Sequence, residues 1–164
     1  MTEHGKRGIQ LASGEGTPVR NPVGGHITIK VRSEQSNGTL GAFETVTAPG
    51  EGPPLHVHPE MDEVLYILEG RFRFKLEDDV AEAAPGAFVF IPRGVVHTWQ
   101  CIGEGPGRFL VIVTPAGFER FFERFEEVAE AMDRHDAFRN LGREVGMEVV
   151  GPPLAQAVAA RAGT

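Results

Sequence analysis

The segment Pro53-Pro54-Leu55-His56-Val57-His58-Pro59-Glu60-Met61-Asp62-Glu63 runs straight into the apolar stretch Val64-Leu65-Tyr66-Ile67-Leu68. On an extended strand, residues two apart point the same way. His56 and His58 therefore present two imidazoles to one side, and Val57 faces the other. Two imidazoles on one face, with a carboxylate soon after, suit a first-row divalent metal. Glu60 and Asp62 fall in the expected turn, where water can solvate them. Glu63 opens the strand Glu63–Leu68. A carboxylate desolvated there needs a charge partner, which a metal ion supplies. The run Val64–Leu68 is apolar on both faces, so both of its sides require cover.

Working outward, the strand Arg71–Leu76 puts Phe72, Phe74 and Leu76 on one face and Arg71, Arg73 and Lys75 on the other, leaving one side wet. Glu77-Asp78-Asp79 reads as a turn, Val80–Ala84 as a short strand and Ala87–Ile91 as a further apolar strand. Ile91-Pro92-Arg93-Gly94 has Pro second and Gly fourth, as a type I turn prefers. The last two strands are Val95–Ile102 and Arg108–Thr114, split by Gly103–Gly107. On the first of them His97 shares a face with Trp99 and Cys101. Upstream, His26–Val31 alternates with period 2, Ser33–Gly38 is a loop and Thr39–Thr47 is extended. Short strands separated by Gly/Pro turns predict an all-β fold, closed or sandwiched and antiparallel.

The flanks differ. Residues 1–22 are polar, Gly-rich and non-periodic, and read as a flexible tail or a strand that orders only on docking. After Pro115, Phe118, Phe121, Phe122, Phe125, Val128, Ala129 and Met132 fall at helical spacing. Glu119, Glu123, Glu126, Glu127 and Glu130 lie opposite, which predicts an amphipathic helix. A second helical piece covers about Ala137–Val145, Val149–Pro153 breaks it, and Leu154–Ala160 forms a short last helix. The expected division is a tail over 1–22, a barrel over 23–115 and a helical extension over 116–164.

The composition fits this reading. Of 164 residues, 21 are Gly and 12 are Pro, more breakers than a helical bundle needs. The net charge of −7 argues against nucleic acid or an anionic membrane as partner, because both require a basic face. No apolar run approaches the ~20 residues of a membrane span. The N-terminus has no apolar segment of the kind an export signal uses, so a cytoplasmic location is expected. The single cysteine, Cys101, excludes an internal disulfide framework and a Cys-rich zinc site. His4, His26 and His135 stand without metal-binding context and read as surface residues.

Two spaced motifs resemble the cupin superfamily. Gly50, five residues, His56-Val57-His58, four residues, Glu63, six residues and Gly70 match its first motif. Gly86, five residues, Pro92-Arg93-Gly94, two residues, His97, three residues and Cys101 match the second, except at Cys101, where the pattern carries Asn. Fifteen residues separate Gly70 from Gly86, as in the compact single-domain members of the cupin 2 type. The resemblance implies a double-stranded β-helix, a jelly-roll barrel, followed here by C-terminal α-helices. It also implies that His56, His58, Glu63 and His97 hold one divalent transition metal ion. Iron, manganese, nickel, cobalt, copper and zinc all accept this set. Three imidazoles and one carboxylate leave coordination positions open, which is the logic of a catalytic site.

The candidate pocket lining is apolar: Phe43, Leu65, Phe72, Phe74, Phe88, Phe90, Trp99, Val111 and Val113. Together these side chains suggest a dry pocket for an aromatic or polyketide-like molecule. Cys101 reads as a small buried hydrophobe or a further pocket group. The C-terminal Phe-rich helix either packs on the outside of the barrel or covers its mouth. The stretches Pro115–Phe122 and Gly146–Pro153 resemble bacterial quercetinase-like cupins. That likeness implies a dioxygenase using O₂ on a flavonol-type or related phenolic small molecule, with Glu63 accepting a proton as well as ligating. An isomerase, cyclase or lyase on the same scaffold, or a non-catalytic binding protein, are the alternatives. Val64, Tyr66 and Leu68 form an apolar face turned away from Glu63. Since relatives of the fold commonly pair sheet to sheet, a homodimer is expected.

Overall fold

The alternating sequence becomes a pair of antiparallel sheets in a computed structural model that describes residues 8–156. The strands are β1 (Thr17–Arg20), β2 (His26–Val31), β3 (Gly41–Thr47), β4 (Pro54–Val57), β5 (Asp62–Glu69), β6 (Phe72–Leu76), β7 (Asp79–Ala83), β8 (Phe88–Ile91), β9 (His97–Cys101), β10 (Gly107–Thr114) and β11 (Glu148–Pro153). The helices are α1 (Ser33–Ser36), α2 (Glu119–Ala131) and α3 (Arg134–Glu144). One sheet has the order β1-β2-β3-β10-β5-β8 and the other β11-β4-β9-β6-β7. The interleaving of early and late strands in both sheets is the double-stranded β-helix that the motifs imply.

Between the sheets lies an aromatic core. Phe72, Phe109 and Trp99 stand mutually edge-on, with centroids 4.9 Å apart for Phe72–Phe109, 5.0 Å for Trp99–Phe109 and 5.8 Å for Phe72–Trp99. This is the arrangement the ring quadrupole favours. Ile67 and Leu65 of β5 and Val111 and Val113 of β10 fill the space beside them. As the alternation predicts, β6 buries Phe72 and Phe74 and turns Arg73 outward, where its guanidinium meets Glu82 of β7 at 3.0 Å.

Three local readings change and one is resolved. Thr17–Arg20, in the stretch read as a flexible tail or a docking strand, is an edge strand paired to β2, with Arg20 opposite His26 and Thr17 opposite Ile29. At four residues, one of them Pro18, it is too short to carry a visible period. Ser33–Ser36, read as loop, forms a single helical turn whose entry is held by Arg32 N–H donating to Gln35 Oε1 at 2.9 Å. Val149–Pro153, read as a breaker, belongs to β11, which pairs Val149 with His56. Its two prolines are tolerated because β11 lies at a sheet edge, where one row of amides needs no partner. The turn before β9 is shifted by one residue. Val95 N–H donates to Pro92 O at 3.2 Å, and Gly94 occupies the third position with φ of +83°. That conformation suits glycine and the type II pattern. The expected helix Leu154–Ala160 runs beyond residue 156 and so lies partly outside the described residues.

Both C-terminal helices pack back on the barrel. Asp133 caps α3 by accepting from the N–H groups of His135 at 2.8 Å and Asp136 at 3.4 Å. Glu119, expected on the wet face of α2, is instead 1% exposed. Its carboxylate accepts from Ser33 N–H at 2.7 Å and Gly117 N–H at 2.9 Å, tying the start of α2 to the start of α1. Glu119→Ala strands both amides and is expected to cost about 2 kcal/mol. Urea unfolding of the variant beside wild type measures it.

Candidate functional site

Four donors from three strands meet between the sheets. His56 sits on β4, His58 directly after it, Glu63 near the start of β5 and His97 at the start of β9. His56 and His97 are cross-strand partners with ring centroids 4.3 Å apart. Glu63 comes from the opposite sheet, and its Oε2 lies 3.2 Å from His97 Nε2 and 3.8 Å from His58 Nε2. One ligand atom from each residue can be chosen so that all lie within 4.8 Å of one another, and all four residues are buried.

The loops around the group explain its placement. Arg93, in the turn before β9, binds Asp62 in a bidentate fork, with Nε to Oδ1 at 3.1 Å and Nη2 to Oδ2 at 2.9 Å. Its backbone N–H adds a bond to Oδ1 at 2.8 Å. Asp62, read as a hydrated turn residue, thus clamps the His97 turn beside Glu63. Gly94 N–H donates to His58 O at 2.9 Å and joins the same turn to the histidine pair.

The imidazoles are oriented by backbone carbonyls. His56 Nδ1–H donates to Pro54 O at 2.7 Å, His97 Nδ1–H to Val95 O at 2.9 Å and His58 Nδ1–H to Gly146 O at 3.3 Å. A proton held on Nδ1 makes Nε2 the nitrogen that could ligate a metal. The third of these acceptors comes from the segment between α3 and β11, so the C-terminal extension helps to set the site.

Protonation tendencies follow from burial and from the mutual charges of the four groups. Burial, reinforced by the neighbouring His97 and His58, pushes His56 well below the usual imidazole range. Burial also lowers His58, against the opposing pull of Glu63. For Glu63 burial acts upward, but the His97 hydrogen bond and the charges of His97 and His58 outweigh it, and its carboxyl stays below the ordinary value. For His97 burial acts downward, yet the hydrogen bond and charge of Glu63 raise it. The carboxylate is therefore ionised and surrounded by three oriented nitrogens. That donor set fits a borderline divalent ion.

A pocket adjoins the group. Its cavity volume is about 60 Å³. Of the residues proposed as lining, Phe43, Trp99 and Val111 are on its wall, together with His56, His58 and Glu63. Phe72 and Phe74 are buried in the aromatic core and are not part of that wall. Leu65 and Val113 are likewise core residues. Phe88 and Phe90 point the other way, at 65% and 52% exposed. The cause is register: Phe90 pairs with Val64 and Phe88 with Tyr66, and cross-strand partners share a face. Since Glu63, Leu65 and Ile67 face inward, Val64 and Tyr66 cannot. Cys101 is fully buried, with Sγ 3.8 Å from Gly105 O, and is not on the pocket wall. His26 and His135 are exposed, while His4 lies outside the described residues.

The rest of the wall comes from outside the two motifs. Phe118, Phe121 and Phe122, at the start of α2, and Phe138 of α3 close the pocket, and the Phe118 ring meets His58 edge-on at 4.9 Å. The helical phenylalanine spacing signalled a packed helix and left open whether it lay outside the barrel or over its mouth. Met147 from the connection to β11 and Asn21 from the β1–β2 turn complete it, with no signal in their local sequence.

The comparisons with known proteins agree with this architecture. Residues 43–113 match the family described as Cupin domain. Germin-like protein 1-1 of Oryza sativa subsp. japonica is 36% identical over 96 residues, covering 52% of this chain and 44% of that protein. The tetracenomycin polyketide synthase protein TcmJ of Streptomyces glaucescens is 30% identical over 80 residues, covering 49% of this chain and 52% of that protein. The chain thus spans about half the length of these curated relatives. Among solved structures, an RmlC-like cupin from Shewanella frigidimarina superposes with a TM-score of 0.59 at 18% identity, covering 70% of this chain and 96% of that one. This last likeness concerns the fold. Among the described residues no helix is long and apolar enough to cross a membrane.

Proposed function

We propose that this chain, whose residues 43–113 match the Cupin domain family, is a metal-dependent dioxygenase acting on a phenolic, flavonol-type or polyketide-like small molecule. The observation that carries this reading is the buried His56–His58–Glu63–His97 group beside an aromatic pocket. A divalent transition metal held there would supply a Lewis acid for a substrate oxygen and a centre for dioxygen chemistry. Glu63 has a carboxylate ionised at neutral pH and placed to take the proton of a phenolic or enolic hydroxyl. Phe118 and Phe122 exclude water from the reacting groups. Because the free space is narrow, a ring system enters only as these phenylalanines give way.

Similarity to a polyketide synthase protein favours one second reading, a cyclase or isomerase acting on a chelating polyketide-type substrate. Two measurements separate the alternatives. Elemental analysis of untagged protein is expected to find about one equivalent of a transition metal, from the single four-donor group. Oxygen-electrode assays against flavonols are expected to record substrate-dependent O₂ uptake. Product formation without O₂ uptake would instead identify the cyclase or isomerase. Ligand quenching of Trp99 fluorescence without turnover would identify a binding protein.

We further propose that the protein acts as a homodimer. Tyr66, Phe88 and Phe90 are 42%, 65% and 52% exposed, and they lie on one outer face with Val64, Leu110 and Ile112. The chain's own helices pack elsewhere, α2 against β1 and β3 and α3 against β11. A second copy offers the same apolar face, and a two-fold axis would cover both at once. Sedimentation is expected to give twice the 17.8 kDa chain mass, and a monomer at micromolar concentration would defeat this assignment.

A further inference from the structure

Outside the His–Glu group, the polar side-chain groups on the pocket wall are the Thr45 hydroxyl, the Trp99 indole N–H and the amide of Asn21, which is 7% exposed. It opens the turn between β1 and β2, where Gly24 N–H donates to Asn21 O at 3.1 Å and Asn21 N–H to Gly25 O at 3.3 Å. Its side-chain Oδ1 accepts from Val23 N–H at 3.2 Å. That bond fixes the amide's orientation, because turning the group over would set Nδ2–H against another N–H. Nδ2 is buried and has no hydrogen-bond partner among the described residues.

A buried amide donor without an acceptor is rare, and holding it there is unfavourable. The turn needs only Oδ1, which serine or aspartate would supply equally well. The donor side of the amide is thus left without a structural task, on a residue that lines a mostly apolar pocket.

We propose that Asn21 is a specificity-determining residue: its Nδ2–H donates to an acceptor oxygen of the ligand, at a point on the wall contributed by a different part of the chain from the His–Glu group. This rests on the reading of the pocket as the site of a phenolic ligand. The ligand is then an aromatic hydroxy-ketone with oxygens at two places. A chelating pair meets the His–Glu group, and a further oxygen on the ring system accepts from Asn21. A site that hydrogen-bonds a ligand oxygen discriminates against the analogue lacking it, because its own buried donor is then left unpaired.

The test compares two probes that share one chelating end. Quercetin carries additional ring hydroxyls, and 3-hydroxyflavone lacks them. Dissociation constants for the protein as purified are read from the quenching of Trp99, the single tryptophan, which lies on the same wall. Asn21→Ser keeps an acceptor for Val23 N–H and removes the amide donor. It is expected to weaken quercetin by about 10-fold and 3-hydroxyflavone by less than about 2-fold, with the melting temperature unchanged. Unchanged quercetin binding in Asn21→Ser overturns the role of Asn21 and leaves the phenolic-ligand reading intact. Equal weakening of both probes with a lowered melting temperature assigns Asn21 to the turn alone and overturns the proposal. Failure of wild type to bind either probe overturns both readings together.

Discussion

His56→Ala is expected to lower metal affinity by about 100-fold or more, abolish turnover and leave the barrel folded. Loss of a partner in the outer shell of a metal site already costs 10- to 100-fold, and loss of a direct ligand is the larger change. His56 is the cross-strand neighbour of His97, and its Nδ1 is held by Pro54 O, so its Nε2 is already aimed. Alanine removes that donor and leaves the aromatic core untouched. Metal content after dialysis and far-UV circular dichroism measure the two halves of the expectation. If the variant is unfolded, the ion is structural and the catalytic reading fails. If it retains one equivalent of metal at wild-type affinity, the four residues are not the ligand set.

The largest effect on stability is expected from Phe72→Ala, which should destabilise the protein by about 3–5 kcal/mol. Phe72 is 0% exposed and packs edge-on against both Phe109 and Trp99. Its ring also lies on the backbone of Gly107, where a Cβ would come within 2.2 Å of it. Glycine at 107 is thus required by close approach, and truncating the ring opens a cavity that β6 and β10, fixed in their sheets, cannot collapse to fill. Denaturant titration followed by Trp99 fluorescence reads the loss directly. A change below about 1 kcal/mol would mean that the three-ring cluster is not the centre of the fold.

Most strands between His26 and Thr114 were legible, because a half-buried strand writes its two faces into alternate residues. Arg71–Leu76 is the plainest case. His56, His58 and Glu63 were legible for a related reason: they lie within eight residues, so short-range geometry and one motif cover them. His97 needed the second motif, since nothing local links it to a residue some forty positions away. Phe88 and Phe90 were misplaced for want of register. An apolar strand looks the same whichever face it buries, and only pairing with Val64 and Tyr66 turns those rings outward.

The sequence alone therefore determined the fold class, the donor chemistry and the amphipathic helix after Pro115, all of which rest on periodicity, residue type or spacing along the chain. Tertiary structure decided what lies across the pocket from the His–Glu group. Thr17–Arg20 became a strand because β2 offered a free edge, and the turn that follows buried Asn21 in the pocket wall. Glu148–Pro153 became one because β4 offered another, while the residues just before it brought Gly146 O to His58 and Met147 to the pocket. Edge pairing and burial are long-range events. Their free energy comes from partners far along the chain, which leave no period in the segment they order.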